Sequence, residues 1–158
     1  MAELKLIAFD AEDLAILSAH LQDALLKVGD LAWLPGERRF AAVGNRFDWG
    51  EALKAGAEGK PSTYVRRRTG LRFERVTAAQ LSGIDVKRKD AILSLLAISF
   101  EPGEAPAGAV TLRFAEGGAI RLLVECIEAE LKDLGPVWHA ASMPRHDDGD
   151  PPPPKPAT

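Results

Sequence analysis

The sequence predicts an α+β domain of mostly antiparallel strands, arranged as a PH-like roll or barrel with one N-terminal and one C-terminal helix. Residues 110–114 and 120–124 alternate between apolar and polar side chains on either side of a glycine turn, which predicts a hairpin. Apolar residues spaced by three and four positions between Leu14 and Val28 predict a helix. The apolar stretch 91–100 is too short to cross a membrane and predicts a buried strand.

The chain is expected to open with a strand followed by that helix. Residues 4–9 have the composition of a short strand. Asp10 is the predicted helix N-cap, and Asp13 lies in the first turn, where a carboxylate suits the positive end of the helix dipole. Gly29 ends the helical spacing, so the helix is predicted to end there.

The middle of the chain has the pattern of successive hairpins. Residues 31–34 and 39–43 flank a Pro-Gly-Glu turn, which predicts two paired strands. Residues 64–80 alternate until Val76 breaks the phase, which predicts a bulge or bend near Arg75.

A helix is also predicted near the end of the ordered chain. Ile127, Leu131 and Leu134 recur at intervals of four and three residues, ahead of a Gly-Pro stop signal. Beyond it, aspartates precede four consecutive prolines, a composition that cannot build a core. We therefore expect one globular domain over residues 1–142 and a disordered tail over 143–158.

Composition and charge limit the class of protein. The formal net charge of −3 argues against a dedicated nucleic-acid-binding domain, because such domains are usually strongly basic, although nucleic acid is not excluded as a partner. The single cysteine, Cys126, cannot form an internal disulfide, and the first residues lack the basic and apolar parts of a signal peptide. These features predict a cytoplasmic protein with no membrane association.

Four segments together resemble a known family. They are LKLIAFDAEDL at 4–14, NRFDW at 45–49, GAIRL at 118–122 and VECIEA at 124–129, in the family's order. On these segments the chain resembles DUF2948, a family of small alphaproteobacterial proteins known as a domain of unknown function. The resemblance covers most of residues 4–139, leaving out 50–63. It implies a bacterial cytosolic protein and transfers no catalytic residue.

The densest chemical feature is a basic segment at residues 66–89. It holds eight basic residues against two acidic ones, a local net charge of +6, whereas residues 1–30 carry −4. On a regular strand Arg66, Arg68 and Arg72 share a parity, and a row of arginines can hold phosphate or carboxylate through paired hydrogen bonds. The competing interpretation is a solvated sheet face whose arginines pair with the acidic first helix.

A second candidate lies at residues 45–49. Arg46 and Asp48 are expected to share one strand face, with Phe47 and Trp49 on the other. One interpretation is a polar pair beside an aromatic platform at the mouth of a pocket. The other is an ion pair that closes the end of a strand over two core aromatics.

Three functions remain open from the sequence. The first is a non-enzymatic binding or adaptor module that engages an anionic ligand or a protein partner through Arg46, Asp48, Arg66, Arg68 and Arg72. The alternative is a small enzyme or enzyme subunit that acts on an anionic metabolite around the same residues. A homodimer is the third, because sheet edges commonly pair. The scattered histidines show no metal-ligand spacing, so we expect no metal, no cofactor and no catalytic residue.

Overall fold

Nine strands form one sheet in the computed structural model, which describes residues 4–48 and 64–140, with side chains for 4–48 and 66–135. The strands are β1 (Lys5–Ala8), β2 (Leu25–Leu34), β3 (Arg39–Phe47), β4 (Tyr64–Phe73), β5 (Val76–Ser82), β6 (Ile92–Pro102), β7 (Gly108–Phe114), β8 (Ala119–Val124) and β9 (Ala129–Ala140). The described residues contain one α-helix, α1 (Ala11–His20).

All the described strand pairs are antiparallel, and the order across the sheet is β1-β9-β4-β3-β2-β6-β7-β8-β5. The predicted α+β domain of mainly antiparallel strands is confirmed at this level. Sequence neighbours pair in the hairpins β2–β3, β6–β7 and β7–β8, whereas β4 with β9 and β1 with β9 are long-range pairs.

The predicted hairpin of residues 110–124 supplies much of the core. β7 and β8 alternate as the sequence predicts, and their inward side chains are buried: Val110, Leu112, Phe114, Ile120, Leu122 and Val124. The helix α1 packs Leu14 and Leu17 into the same core, and the Oγ of Ser18 accepts a hydrogen bond from the N–H of Ile98 on β6 at 2.8 Å. β6 is a strand as predicted, but it is only partly buried, because Ile92 and Leu96 are exposed.

The chain bends near Arg75, as predicted, where the strand pair β4–β9 meets the strand pair β5–β8. Arg75 adopts a left-handed backbone conformation with φ of 61° between β4 and β5. The N–H of Glu74 donates to the carbonyl of Glu128 at 2.8 Å, and the N–H of Glu125 donates to the carbonyl of Arg75 at 2.9 Å. Because these bonds bridge the bend, the pairing of β4 with β9 continues into that of β5 with β8.

The first helix is shorter than predicted. Asp10 caps it, accepting a hydrogen bond from the N–H of Asp13 at 2.7 Å, but the helix ends at His20. Asp23 then reverses the chain with a φ of 66°, and residues 25–34 form β2. Ala24 and Val28 are buried at positions that fit both a strand period of two, with Leu26 between them, and a helical spacing of four, so the apolar pattern alone did not separate the two structures.

The predicted closing helix is wrong, because residues 129–140 are strand β9. Ala129, Leu131 and Asp133 are buried on one face of this strand, while Lys132 is exposed on the other. The inward position 133 is an aspartate, so the apolar alternation that would identify a strand is interrupted in the sequence.

Some predictions fall on residues outside the described ones. They concern the connection at 50–63, the tail at 143–158 and Trp49. Among the described residues, no helix has the length and apolar character needed to cross a membrane.

Candidate functional site

The five predicted site residues separate into a buried and an exposed group. Arg46 and Arg66 are 4% and 6% exposed and Asp48 is half-buried, whereas Arg68 and Arg72 are exposed. β4 pairs with β3 in unbroken register, so Arg66 does share the parity of Arg68 and Arg72. Its guanidinium nevertheless lies over the ring of Phe47, 5.7 Å from the ring centroid, and Nη1 donates to the carbonyl of Asn45. The expected row of three exposed arginines is therefore reduced to two.

Two of the buried residues, Arg46 and Asp48, belong to an ion-pair cluster that also contains Arg67 and Asp133. Arg46 on β3 lies directly opposite Arg67 on β4, and Asp133 on β9 approaches both. Nε and Nη2 of Arg46 donate to the two carboxylate oxygens of Asp133, each at 2.9 Å. Nε of Arg67 donates to Oδ2 of Asp48 at 2.6 Å and lies 4.0 Å from Oδ2 of Asp133. Two guanidinium groups are thus balanced by two carboxylates.

Asp133 also ties the first strand to this cluster. The N–H of Leu4 donates to Oδ2 of Asp133 at 2.8 Å, and the N–H of Asp133 donates to the carbonyl of Leu4 at 2.9 Å. Burial alone would raise the pKa of Asp133, but the hydrogen bonds from Arg46 and Leu4 and the charges of Arg46 and Arg67 hold it below its ordinary value. A carboxylate saturated in this way joins β1, β3 and β9.

His20, at the end of α1, belongs to the same end of the molecule. Burial lowers the pKa of His20, and the positive charge of Arg46 lowers it further, while Asp48 and Asp133 act in the opposite direction. Local sequence pattern does not connect His20 with these residues, because the packing of α1 brings the two parts of the chain together.

For residues 45–49, the structure pairs Arg46 and Asp48 with residues elsewhere in the chain, and Trp49 lies outside the described residues. Arg46 pairs with Asp133, a residue 87 positions away, and Asp48 pairs with Arg67. Asp133 could not be recognised from the sequence because its segment was predicted to be helical.

The two exposed arginines, Arg68 and Arg72, lie with Lys5 and Lys132 on what we call the basic face, which consists of these four residues around Gly70. Lys5 on β1 lies opposite Lys132 on β9, and Lys132 lies opposite Gly70 on β4. Arg68 and Arg72 are two positions before and after Gly70 on the same side of β4. Four cationic side chains therefore lie around Gly70, and the side chain of Leu134 packs over this glycine, with its Cδ1 3.1 Å from where a Cβ would lie.

Part of the basic face is neutralised by glutamates. Arg72 donates to Glu130 at 2.8 Å and to Glu74 at 2.7 Å, and Nζ of Lys5 lies 3.5 Å from Glu130. The hydrogen bond from Arg72 lowers the pKa of Glu130. These carboxylates lie on β9 and beside the end of β4, and not on the first helix as the solvated-face interpretation supposed.

The other two cations of the basic face, Arg68 and Lys132, are not neutralised by carboxylates in this way. Within residues 4–48 and 64–140, neither Arg68 nor Lys132 forms an ion pair. Lys5 and Lys132 are direct cross-strand neighbours, and like charges in this arrangement destabilise a sheet. The basic face therefore keeps a positive charge at Lys132 and Arg68.

Exposed apolar side chains border the basic face. Ile7 is 50% exposed, Phe9 65% and Leu134 49%. Ile7 and Phe9 also line a shallow cleft of about 120 Å³ with Arg72, Glu74, Glu128, Ala129 and Glu130. Enclosed small-molecule sites usually measure about 300 Å³ or more, so this cleft is too small to enclose a metabolite.

The described residues contain no group of three or more histidine, cysteine or acidic side chains that could hold a metal ion. Lys5 and Lys132 were missed from the sequence. Nothing in a single sequence indicates that β1 pairs with β9, and only that pairing brings the two lysines together.

Together the fold and the two polar groups define a sheet protein with a buried ion-pair cluster at one strand end and an exposed basic face. A family model described as "Protein of unknown function (DUF2948)" matches residues 4–146, and the chain belongs to this family. No curated protein and no solved structure matches it.

Proposed function

We propose that this protein is a non-enzymatic binding module whose basic face engages an anionic partner. The observation that carries the proposal is the pairing of Lys5 with Lys132, next to Arg68, without a carboxylate on Lys132 or Arg68 among the described residues. Two lysines side by side lower the stability of a sheet, so we expect such a pair to be retained where an anionic partner offsets the repulsion between them.

The alternative of a small enzyme acting on an anionic metabolite has less support. Arg46 already engages both its Nε and its Nη2 with the carboxylate of Asp133, so these donors are not directed at a ligand. The cleft beside Arg72 is shallow and is lined by side chains that pair with one another. Cationic side chains on an exposed sheet face suit a macromolecular partner better than an enclosed substrate.

The proposal also covers the type of fold and the cellular location of the protein. We propose a PH-like arrangement of the sheet and a bacterial cytoplasmic location, on the basis of the strand order and of the family to which the chain belongs. Fold likeness by itself carries no function, so the binding role depends on the basic face alone.

Fluorescence anisotropy with two anionic probes tests the proposal. The probes are a labelled octaglutamate peptide and a labelled single-stranded oligonucleotide, each at about 50 mM and about 200 mM salt, because charge-driven binding weakens with salt. We expect at least one probe to bind, and to bind more weakly at the higher salt.

A matched pair of triple variants locates the site. Lys5→Glu, Arg68→Glu and Lys132→Glu together reverse the basic face, and should weaken binding by about tenfold or more. Lys87→Glu, Arg88→Glu and Lys89→Glu make the same change of net charge on an exposed turn elsewhere, and should change binding by less than about twofold. Equal losses in both variants would mean that only the net charge matters. Wild-type protein that binds neither probe would contradict the proposal.

A further inference from the structure

The basic face ends at a strand with an open edge. β1 is the terminal strand of the sheet and pairs with β9 alone among the described strands. The N–H of Asp133 donates to the carbonyl of Leu4, and residues of an antiparallel strand alternate between facing the partner and facing away. Lys5 and Ile7 therefore direct their backbone N–H and C=O groups away from β9.

The same alternation explains the closeness of the two lysines. Since the backbone N–H of Asp133 donates to the carbonyl of Leu4, the next pair, Lys5 and Lys132, is a non-hydrogen-bonded pair, in which the side chains of neighbouring strands approach most closely. On its β9 side Lys5 thus has both a cation, Lys132, and the carboxylate of Glu130 at 3.5 Å, and on its other side its backbone is open.

This edge has part of the usual protection and lacks the rest. β1 is only four residues long and carries Lys5, and short edge strands and lysines both discourage pairing. It has no proline and no bulge, however, and it exposes Ile7 and, just beyond its end, Phe9. The N–H of Phe9 donates to Oδ2 of Asp13 at 3.1 Å, so the available backbone groups are those of Lys5 and Ile7 and the carbonyl of Phe9.

The side chains along this edge specify what would pair with it. A residue placed opposite Lys5 is best acidic, because its carboxylate would relieve the repulsion from Lys132. A residue placed opposite Ile7 is best apolar, because Ile7 is half-exposed. The two partner residues are two positions apart in an extended chain.

We infer that the anionic partner is an extended polypeptide segment, with acidic and apolar residues two positions apart, that pairs with β1 as a further antiparallel strand. The inference rests on the proposed function and adds the class of partner and its mode of binding, the addition of a strand to a sheet edge. A second copy of β1 fits less well, since two-fold pairing centred on Ile7 would place Phe9, and not a carboxylate, opposite Lys5.

Backbone methylation of a peptide probe tests the inference on wild-type protein. The probe is a labelled peptide of sequence Thr-Val-Thr-Glu-Thr-Val-Thr-Glu, and two derivatives carry N-methyl groups either on every Val and Glu or on every Thr. In antiparallel pairing, residues opposite Lys5 and Ile7 direct their N–H groups at β1, so methylation of Val and Glu should weaken binding by about tenfold or more. Methylation of Thr, whose N–H groups point away, should leave binding within about threefold. Both derivatives have the same composition and charge.

A charge swap supplies a second readout. Lys5→Glu should weaken binding of the glutamate peptide and strengthen binding of a peptide with lysine at the two glutamate positions. Equal binding of the two methylated peptides would overturn strand addition. If octaglutamate or the oligonucleotide still bound through the basic face in that case, the proposed function would stand and the inference alone would fail. Failure of all anionic probes would overturn both.

Discussion

At the scale of single residues, Asp133 shows how one buried carboxylate can organise three strands. It lies on β9, accepts two hydrogen bonds from Arg46 on β3 and one from the N–H of Leu4 ahead of β1. The side chain of Asp133 is fully buried and that of Arg46 is 5% exposed. Buried ion pairs of this kind add little net stability relative to apolar residues, but loss of one partner leaves an uncompensated charge.

Asp133→Ala should therefore destabilise the protein strongly. It leaves Arg46 buried without its carboxylate, and we expect the free energy of unfolding to fall by about 3–5 kcal/mol, measured by urea denaturation. Asp90→Ala removes the same side chain from an exposed turn and should change stability by less than about 0.5 kcal/mol. A small effect of Asp133→Ala would show that the cluster is not a structural element.

His20 should make stability depend on pH. Its pKa in the folded protein lies below the ordinary value of 6.5, chiefly through burial, so the unfolded chain takes up a proton first as the pH falls. The free energy of unfolding should therefore decrease as the pH falls below about 6.5, until the folded pKa is reached. His20→Gln should flatten this dependence between about pH 7 and pH 5, where Asp133 does not titrate because its pKa is lowered from 3.8. An unchanged slope in the variant would exclude His20 as its source.

At the scale of elements, local pattern predicted the structure where side chains alternate cleanly. The hairpin of β7 and β8 has apolar residues at every inward position, so its sequence shows its period of two. β9 has an aspartate at one inward position, and the first residues of β2 have an apolar spacing that also fits a helix, so residues 25–28 and 129–134 were predicted as helix. The errors thus arise where tertiary contacts, and not local propensity, decide the secondary structure.

Gly44 tests how tightly β2 and β3 pack. A Cβ at this position would lie 2.5 Å from the carbonyl oxygen of Leu25 and 2.9 Å from Cδ2 of Leu26, and the backbone atom cannot move aside independently. Gly44→Ala should lower the free energy of unfolding by about 1–3 kcal/mol, as overpacking usually does. Gly36→Ala, where a Cβ would meet nothing within 4 Å, is the matched control. Equal stability of the two variants in thermal melts would contradict this account.

At the scale of the whole molecule, a chain of net charge −3 presents one face on which cations are neighbours. The basic character of residues 66–89 was visible in the sequence, and Arg68 and Arg72 do lie on this face. Lys132 joins them through the pairing of β9 with β4, and Lys5 joins them through the pairing of β1 with β9, two strands more than a hundred positions apart in the chain. A single sequence shows which residues are charged, whereas the strand order determines which charged residues are neighbours in the folded protein.

This arrangement predicts that binding and stability oppose each other on the basic face. Lys132→Gln removes the repulsion with Lys5, so the free energy of unfolding should rise by about 0.2–1 kcal/mol, while affinity for the anionic probe that binds the wild-type protein should fall. Added salt screens the same repulsion and should reduce the stability difference between wild type and variant. Lys87→Gln, on the exposed turn, should change neither quantity appreciably. If Lys132→Gln lowered stability as well as affinity, Lys132 would act as a structural residue. The repulsion between Lys5 and Lys132 would then not lower stability, and the proposed function would lose the observation that supports it.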